Sequence, residues 1–411
     1  MANDDLIQIG TVEYQRLATA MVMAGFSTFS LLYSVQPLLP EFSSTFGISP
    51  ENSSLAVSLA TGPMAIGILA AGWLSDRIGR RTLMIYSLIS AALFGTLAAV
   101  APTWESLLVL RCLSGIALAG VPAVAMTYIA EEVEPPAIGP AMGLYIAGSA
   151  FGGMIGRLGA AVATEWLGWR WAIASIGLFS AAAAIVFCAS APASRAFQPQ
   201  RLSLRGFLGG YAYVLRDRVL LMLYGTGFLM MGAFVTIYNY VPYRLAVEPY
   251  GLGHAEIGAI FLLYMLGSAS SAWFGKLAGR IGVRPTFWRP VVVLLIGLLL
   301  TAPSPLWLII SAIGVVTMGF FGAHTVASSW VSRRAFDNRS HASALYLFGY
   351  YAGSSLLGSA GGVMWSNWGW EGVTAFTAGL CITVLAIAFI IARAPPLADP
   401  RQPKTGQRLP G

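Results

Sequence analysis

Arg111, Arg157 and His324 stand deep inside long apolar runs, in LLVLRCLSGIALAG, GLYIAGSAFGGMIGRL and FGAHTVASSWV respectively. If those runs lie in lipid, a guanidinium at mid-depth costs about 2.5 to 3.5 kcal/mol, so each arginine has to face a protein interior or a wet cavity. There it can hold an anion or tie down backbone carbonyls. A histidine changes charge between about pH 5 and 8, which makes His324 the natural embedded proton carrier. None of the 17 acids falls in the middle of such a run. The 3 histidines are His254, His324 and His341, and there is no Gly-x4-Gly-Lys loop and no nucleophile with its base inside the runs. Enzyme chemistry, a metal centre and ATP hydrolysis are therefore poor fits, and no cofactor is expected.

Charge is also concentrated in GWLSDRIGRR, which holds Gly72, Asp76, Arg77, Gly79, Arg80 and Arg81. A related run, GKLAGRIGVRP, begins at Gly275 and keeps glycine, leucine, arginine and isoleucine at the same spacing, with Gly279 in place of the acid. Nearly the same displacement, about two hundred positions, carries Phe29, Tyr33 and Pro37 onto Phe234, Tyr238 and Pro242, and Leu144, Tyr145 and Gly148 onto Leu345, Tyr346 and Gly349. It also sets Arg333 and Arg334 where Glu131 and Glu132 stand in the first copy. Matches in one order at one offset mean a structural unit used twice.

The elements that position these residues follow from composition. With 57% hydrophobic and 10% charged residues in 411, much of the surface must face lipid. A bilayer core needs about 20 apolar helical residues per crossing, and lipid offers no partner to an unpaired backbone group. The expected spans are 17–39, 53–74, 83–101, 106–129, 137–162, 171–191, 220–242, 257–277, 287–302, 306–331, 342–365 and 372–392, the ninth being short. The expected fold is an all-α membrane protein of twelve transmembrane helices in two pseudo-symmetric six-helix bundles. The first bundle is 1–191, a cytoplasmic linker is 192–218, the second bundle is 219–392 and a Pro-rich polar tail, too short to fold, is 393–411.

Every Lys and Arg except Arg111, Arg157, Arg170 and Arg244 falls on the side of the N-terminus, so that side and both termini are expected in the cytoplasm. The net charge of +7 then calls for no nucleic acid. Asp4, Asp5, Glu13 and Arg16 precede a first run long enough to span, so no cleaved signal peptide is expected. An amphipathic helix around 202–215 would lie on anionic membrane lipid. The 3 cysteines fall within spans and are expected to be free thiols. Trp104, Trp166, Trp169, Trp307, Trp365, Trp368 and Trp370 are expected as interfacial anchors at the opposite face.

At 1.5 Å rise per residue, Arg111 lies about 8 Å and Arg157 about 10 Å below the outer surface, with Gln36 in the same layer. Arg111 is expected to bond helix one through Gln36 or backbone carbonyls, the alternative being a purely structural clamp. Arg157 is expected to border a central cavity, the alternative being a side chain snorkelling outward. For His324 the alternative is a neutral histidine packed between helices. Tyr33, Tyr238, Asn239 and Tyr346 are candidates for cavity lining, against plain packing.

GWLSDRIGRR is similar to the loop 2–3 signature of the major facilitator superfamily, and LLVLRCLSGIALAG resembles its helix-four L-x3-R-x3-G pattern. SLLYSVQPLLP, MTYIAEE, GLYIAGSAFGGMIGRL and FGAHTVASSWV further resemble a YnfM-like branch grouped with bacterial drug and sugar efflux permeases. The chain is thus identified as a member of that superfamily, the resemblance covering essentially its whole length. This implies a secondary active transporter moving small organic solutes across the cytoplasmic membrane by alternating access. Proton-coupled efflux is expected; proton-coupled uptake is the alternative, with a transporter-fold sensor behind it. Under that reading Asp76 can face a helix end or one of Arg333, Arg334 and Arg339 of the other bundle, while Arg77, Arg80 and Arg81 hold Glu131 and Glu132, forming a cytoplasmic gate. The alternative for the arginines is that they only enforce topology.

Many proton-driven exporters of the superfamily carry a buried carboxylate that attracts cationic drugs, and this chain departs from that pattern. A related efflux signature also has Gly-Pro where Ala150 and Phe151 precede Gly152 here. Two buried arginines without a buried acid favour an anionic or polar neutral small-molecule substrate. The remaining expected partners are protons and membrane lipids, with the chain acting as a monomer.

Overall fold

The computed structural model describes residues 6–194 and 204–393. Eleven continuous helical stretches are long and apolar enough to cross a membrane. They are α1 Val12–Phe46, α2 Pro50–Ile78, α3 Arg80–Val100, α4 Trp104–Glu132, α5 Pro135–Leu167, α6 Trp169–Ser190, α7 Arg218–Ala246, α8 His254–Ile281, α9 Val283–Leu300 and α10 Leu306–Arg334, followed by the stretch Arg339–Ala392. That last stretch, 54 residues long, breaks at Gly369, where φ is 56° and ψ −146°. At 1.5 Å per residue it is far longer than one crossing, and the break divides it into α11 (339–368) and α12 (370–392), giving twelve crossings in two six-helix bundles.

The helix ends alternate between two faces. One carries Arg77, Arg80, Arg81, Arg218, Arg280, Arg284, Arg333, Arg334 and Arg339, and is called here the arginine face. The other carries Trp104, Trp166, Trp169, Trp307, Trp365, Trp368 and Trp370, the tryptophan face. Three of these tryptophans are not simple anchors. Trp104 and Trp169 pack on Phe42 and Phe46 with ring centroids 5.3–5.9 Å apart, and the Trp370 indole N–H donates to Thr301 O at 3.0 Å. An indole ring has both an apolar body and one donor, so it can serve a core as well as an interface.

Internal duplication is visible in the turns and in the helix contacts. Gly79 ends α2 at φ 94° and Gly282 ends α8 at φ 93°, a left-handed backbone that favours glycine. Gly148, Gly152 and Gly156 of α5 lie directly against the backbone of Val22, Phe26 and Ser30 of α1, and Gly349 and Gly353 of α11 do the same against Tyr224 and Phe228 of α7. Lipid tails are as apolar as leucine, so such pairs are held by close packing that a Cβ would prevent.

The two halves differ in their prolines. α1 is regular from Val12 to Tyr33, then turns through a short 3-10 segment Gln36–Leu38 before resuming at Leu39–Phe46, because Pro37 cannot donate to the carbonyl one turn back. α7 instead runs through Pro242 without a break. A linker helix Leu204–Val214 lies on the arginine face, inside the expected 202–215. The N-terminal segment is strapped to the same face: Ile7 N–H donates to Glu132 O at 2.9 Å and Glu134 N–H to Ile7 O at 3.1 Å. The three cysteines are free. The expectations for Asp4, Asp5, Arg195, Arg201 and the tail beyond Arg393 lie outside the described residues.

Candidate substrate pathway and gates

Ending the regular part of α1 near Ser34 deprives its last carbonyls of helical partners. Arg111, 2% exposed, supplies donors there. Its Nη1 donates to Leu31 O at 2.9 Å and Nη2 to Leu32 O at 2.6 Å, and Nε donates to Ala56 O of α2 at 2.8 Å. One guanidinium therefore ties α4 to α1 and α2 through backbone carbonyls and not through Gln36. Three of its five N–H groups are thereby given to backbone carbonyls.

Gln36 serves the other arginine. Arg157 Nε donates to Gln36 Oε1 at 2.7 Å and Nη1 to its own Gly153 O at 2.7 Å. Gln36 Nε2 in turn donates to Asn239 Oδ1 at 2.8 Å. Arg157, Gln36 and Asn239 are at most 2% exposed, so this chain of bonds crosses from α5 through α1 to α7, and hence from one bundle to the other, out of contact with solvent. The Arg157 guanidinium also lies over Tyr33 at 4.3 Å, Tyr264 at 4.7 Å and Phe261 at 5.3 Å. It does not snorkel. Tyr238 Oη bonds Thr317 Oγ1 at 2.7 Å and its ring stacks on Phe261 at 5.3 Å. Further toward the arginine face, His324 Nδ1 lies 3.0 Å from Tyr346 Oη and its ring is 4.8 Å from that of Tyr350.

Beyond this layer the bundles are sealed on the tryptophan half. Tyr243 Oη of α7 reaches Ser43 and Ser53 at 2.6 Å and donates to Leu39 O at 2.8 Å. Ser58 Oγ pairs with Ser359 Oγ at 2.7 Å, and Ser58 and Ser355 each donate to the other's carbonyl at 2.8 Å. Glu41 lies 3.7 Å from His254, and Glu165 accepts from Ala255 N–H at 3.3 Å. Among the described residues, every direct hydrogen bond between the bundles lies on this half.

On the arginine half Arg80 and Arg334 are each held within their own bundle. Arg80 Nη1 binds Asp76, donates to Ser75 Oγ at 2.5 Å, and Nη2 reaches Glu131 at 3.2 Å. Arg334 Nε donates to Asp217 Oδ2 at 2.7 Å. Asp76 thus pairs with the arginine one turn on, across Gly79, instead of with Arg333, Arg334 or Arg339. Arg77 stacks over Trp73 at 3.7 Å; Arg81 donates to Ala191 O at 2.9 Å and Cys188 O at 3.2 Å. Glu132 is buried beside Tyr128, Arg333 is exposed, and Arg339 lies over Phe336 at 4.3 Å. Gly72 faces Phe207 of the linker helix. That helix bridges the halves: Tyr211 Oη donates to Leu69 O of α2 at 2.9 Å, and Phe207 and Tyr211 pack on His341 of α11 with centroids 5.2 and 4.8 Å away. Burial pushes the Tyr211 hydroxyl up to about 12, so it stays a donor.

Sequence reasoning missed Asp217, Tyr243, Tyr264, Phe261 and Ser354. Asp217 had a signal, an acid at the N-cap of an apolar run, where its Oδ1 accepts from Val219 N–H at 2.8 Å. The others are an ordinary serine and aromatics among many.

Comparison with known proteins agrees with this architecture. The Major Facilitator Superfamily model matches residues 17–323 and 240–410. The chain is similar to the inner membrane transport protein YnfM of Escherichia coli, 43% identical over 384 residues, 93% of this chain and 92% of that one. It is also similar to the uncharacterized MFS-type transporter YybF of Bacillus subtilis, 40% identical over 399 residues, 97% and 98% of the two chains. Among solved structures, a bacterial homolog of the human lysosomal transporter Spinster superposes with a TM-score of 0.74 at 16% identity, over 93% of this chain and 98% of that one; this likeness bears on the fold. A twelve-crossing chain built twice, bonded between its halves through Gln36 and Asn239, is a multi-pass membrane protein, and it belongs to the Major Facilitator Superfamily of secondary transporters.

Proposed function

We propose that this chain exports small organic solutes across the cytoplasmic membrane by alternating access, in exchange for protons, with the arginine face and both termini in the cytoplasm. The rocking units are residues 1–191 and 219–392, and the chain works as a monomer. The observation that carries this reading is the buried Arg157–Gln36–Asn239 chain of bonds, which joins the bundles on the same half as the other direct hydrogen bonds between their described residues. Such a contact is what a rocking motion has to break and re-form. The gate at the arginine face uses Asp76 and Glu131 of the first bundle with Arg333 and Arg334 of the second. In the state described here these groups are held within their own bundles or exposed, ready to re-pair when that face closes. Gly72 and Gly79 let the backbone of the gate turn, with Arg77, Arg80, Arg81 and Glu132 framing it.

His324, bonded to Tyr346, is the proton-carrying group, and Tyr33, Tyr238 and Asn239 border the path. Arg111 fixes α1, α2 and α4 around it. Anionic lipid supports the linker helix. Purified protein in liposomes with an imposed pH gradient tests the reading: solute movement should follow the gradient in the direction of export, Asp76→Asn should abolish or strongly slow it with expression intact, and His324→Gln should flatten its pH dependence. Wild-type rates in Asp76→Asn would remove the gate, and movement insensitive to the gradient would remove proton coupling.

A further inference from the structure

Arg157 carries a buried positive charge that nothing in its surroundings neutralises. No carboxylate forms an ion pair with it among the described residues, and its Nε and Nη1 bonds go to the amide oxygen of Gln36 and a backbone carbonyl. Asn239 Nδ2 is buried close to it without a hydrogen-bond partner, and the buried Tyr33 and Ser354 hydroxyls there have only each other. Their residues are no more than 4% exposed. All three belong to the surroundings of Arg157. The Tyr33 ring lies beneath the guanidinium, Ser354 neighbours the Tyr33 hydroxyl, and Asn239 is bonded to the same Gln36 that holds Arg157. Gly358, one turn beyond Ser354 on α11, leaves the space beside Asn239 Nδ2 that a side chain would enter.

An uncompensated buried charge and unsatisfied buried donors are each costly in a low-dielectric interior. A neutral solute satisfies the donors and leaves the charge; a cation adds repulsion. A carboxylate answers both, since it accepts at about four lone-pair positions and has no proton to place. The other buried arginine, Arg111, gives three N–H groups to backbone carbonyls of α1 and α2 and serves as their tie, so the carboxylate is placed at Arg157. The wall leading from this point toward the arginine face is aromatic. Tyr264 lies 5.6 Å from Phe321, Tyr350 is in electrostatic reach of both Tyr33 and Tyr264, and His324 follows. Phe321, Tyr350 and His324 are only partly buried, so these rings have faces still to cover.

We propose that Arg157, Asn239, Tyr33 and Ser354 bind the carboxylate of a planar aromatic monoacid whose ring lies along Phe321, Tyr350 and His324. This rests on the transporter reading above and names the substrate class of that site. The test is thermal unfolding of the purified full-length protein with cinnamate, its neutral isostere cinnamamide, and acetate. At about a hundred times its Kd, cinnamate should raise Tm by about 3 °C or more, with cinnamamide and acetate doing far less. Arg157→Gln should remove the cinnamate shift. Ser354→Ala and Tyr33→Phe, which keep the charge and the fold-bearing side-chain volume, should each weaken apparent affinity roughly tenfold, the scale of one lost bond to a charged group. Equal protection by cinnamamide overturns the carboxylate, equal protection by acetate overturns the aromatic body, and an unchanged cinnamate shift in Ser354→Ala and Tyr33→Phe overturns the site. Because binding is read without transport, cinnamate protection in a protein that moves no solute in liposomes would refute export and leave the site standing. Transport that ignores carboxylates would refute this site alone.

Discussion

Arg111 and Arg157 have the same chemistry and burial, and their bonding separates their roles. Three of the five N–H groups of Arg111 end on backbone carbonyls of α1 and α2, so its removal is a loss of structure. Polar contacts inside membrane proteins are worth about 0.6 kcal/mol on average and up to about 1.7, and these three are charge-assisted, so Arg111→Gln should lower stability by about 2 to 4 kcal/mol. Unfolding in mixed detergent checks this; a variant as stable as the parent would show that α1 ends without needing the arginine. The affinity of any solute that still binds should be unchanged. Both arginines stand out in the sequence because a charge in an apolar run is conspicuous. Their partners do not, since Gln36 reaches two neighbours in the same layer and only packing decides that it takes Arg157 and Asn239. Asp76 is similar. Arg80 is one turn away in the same chain, and that proximity outweighs the cations of the other bundle.

Helices one and five, and their counterparts seven and eleven, meet backbone to backbone, which makes single glycines decisive. A Cβ at Gly152 would meet the backbone of Phe26, and one at Gly353 the backbone of Phe228; at Gly143 it would meet nothing. Gly152→Val and Gly353→Val should therefore each cost at least about 2 kcal/mol, as overpacked contacts do, and Gly143→Ala should be neutral or slightly stabilising because alanine favours the helix. Thermal unfolding of the three variants side by side decides it, and equal behaviour at positions 143 and 152 would remove the case for close packing. The spans themselves were readable from hydropathy because lipid forces every backbone group into a helix. The break of α1 after Ser34 was not, since Pro37 and Pro242 occupy equivalent places and only one interrupts its helix. That difference comes from packing: in α1 Arg111 is present to donate to the freed carbonyls. Gly168 and Gly369 both take left-handed backbone, φ 80° and 56°, and each turns the chain between two crossings.

Two bundles that exchange partners must be held by contacts that bias one packing without locking it. The serine and tyrosine bonds along the tryptophan half supply this: at about 0.6 kcal/mol each, a handful sums to a few kcal/mol, the scale of a two-state balance. The seam between α2 and α11 is the place to test it. Ser58 Oγ and Ser359 Oγ are 2.7 Å apart, close enough for a disulfide after replacement by cysteine, and Cys112, Cys188 and Cys381 can first be removed because none is in a disulfide. In that background, oxidised Ser58→Cys/Ser359→Cys should bind solute from the arginine face and should transport at background level. Reductant should restore the rate, since the bridge alone stops the tryptophan half from opening. Each single cysteine should transport normally under oxidant. A fully bridged protein that still moves solute at the parent rate would mean that the bundles do not part along α2 and α11, and the solute would then need a route that leaves the Gln36–Asn239 contact intact.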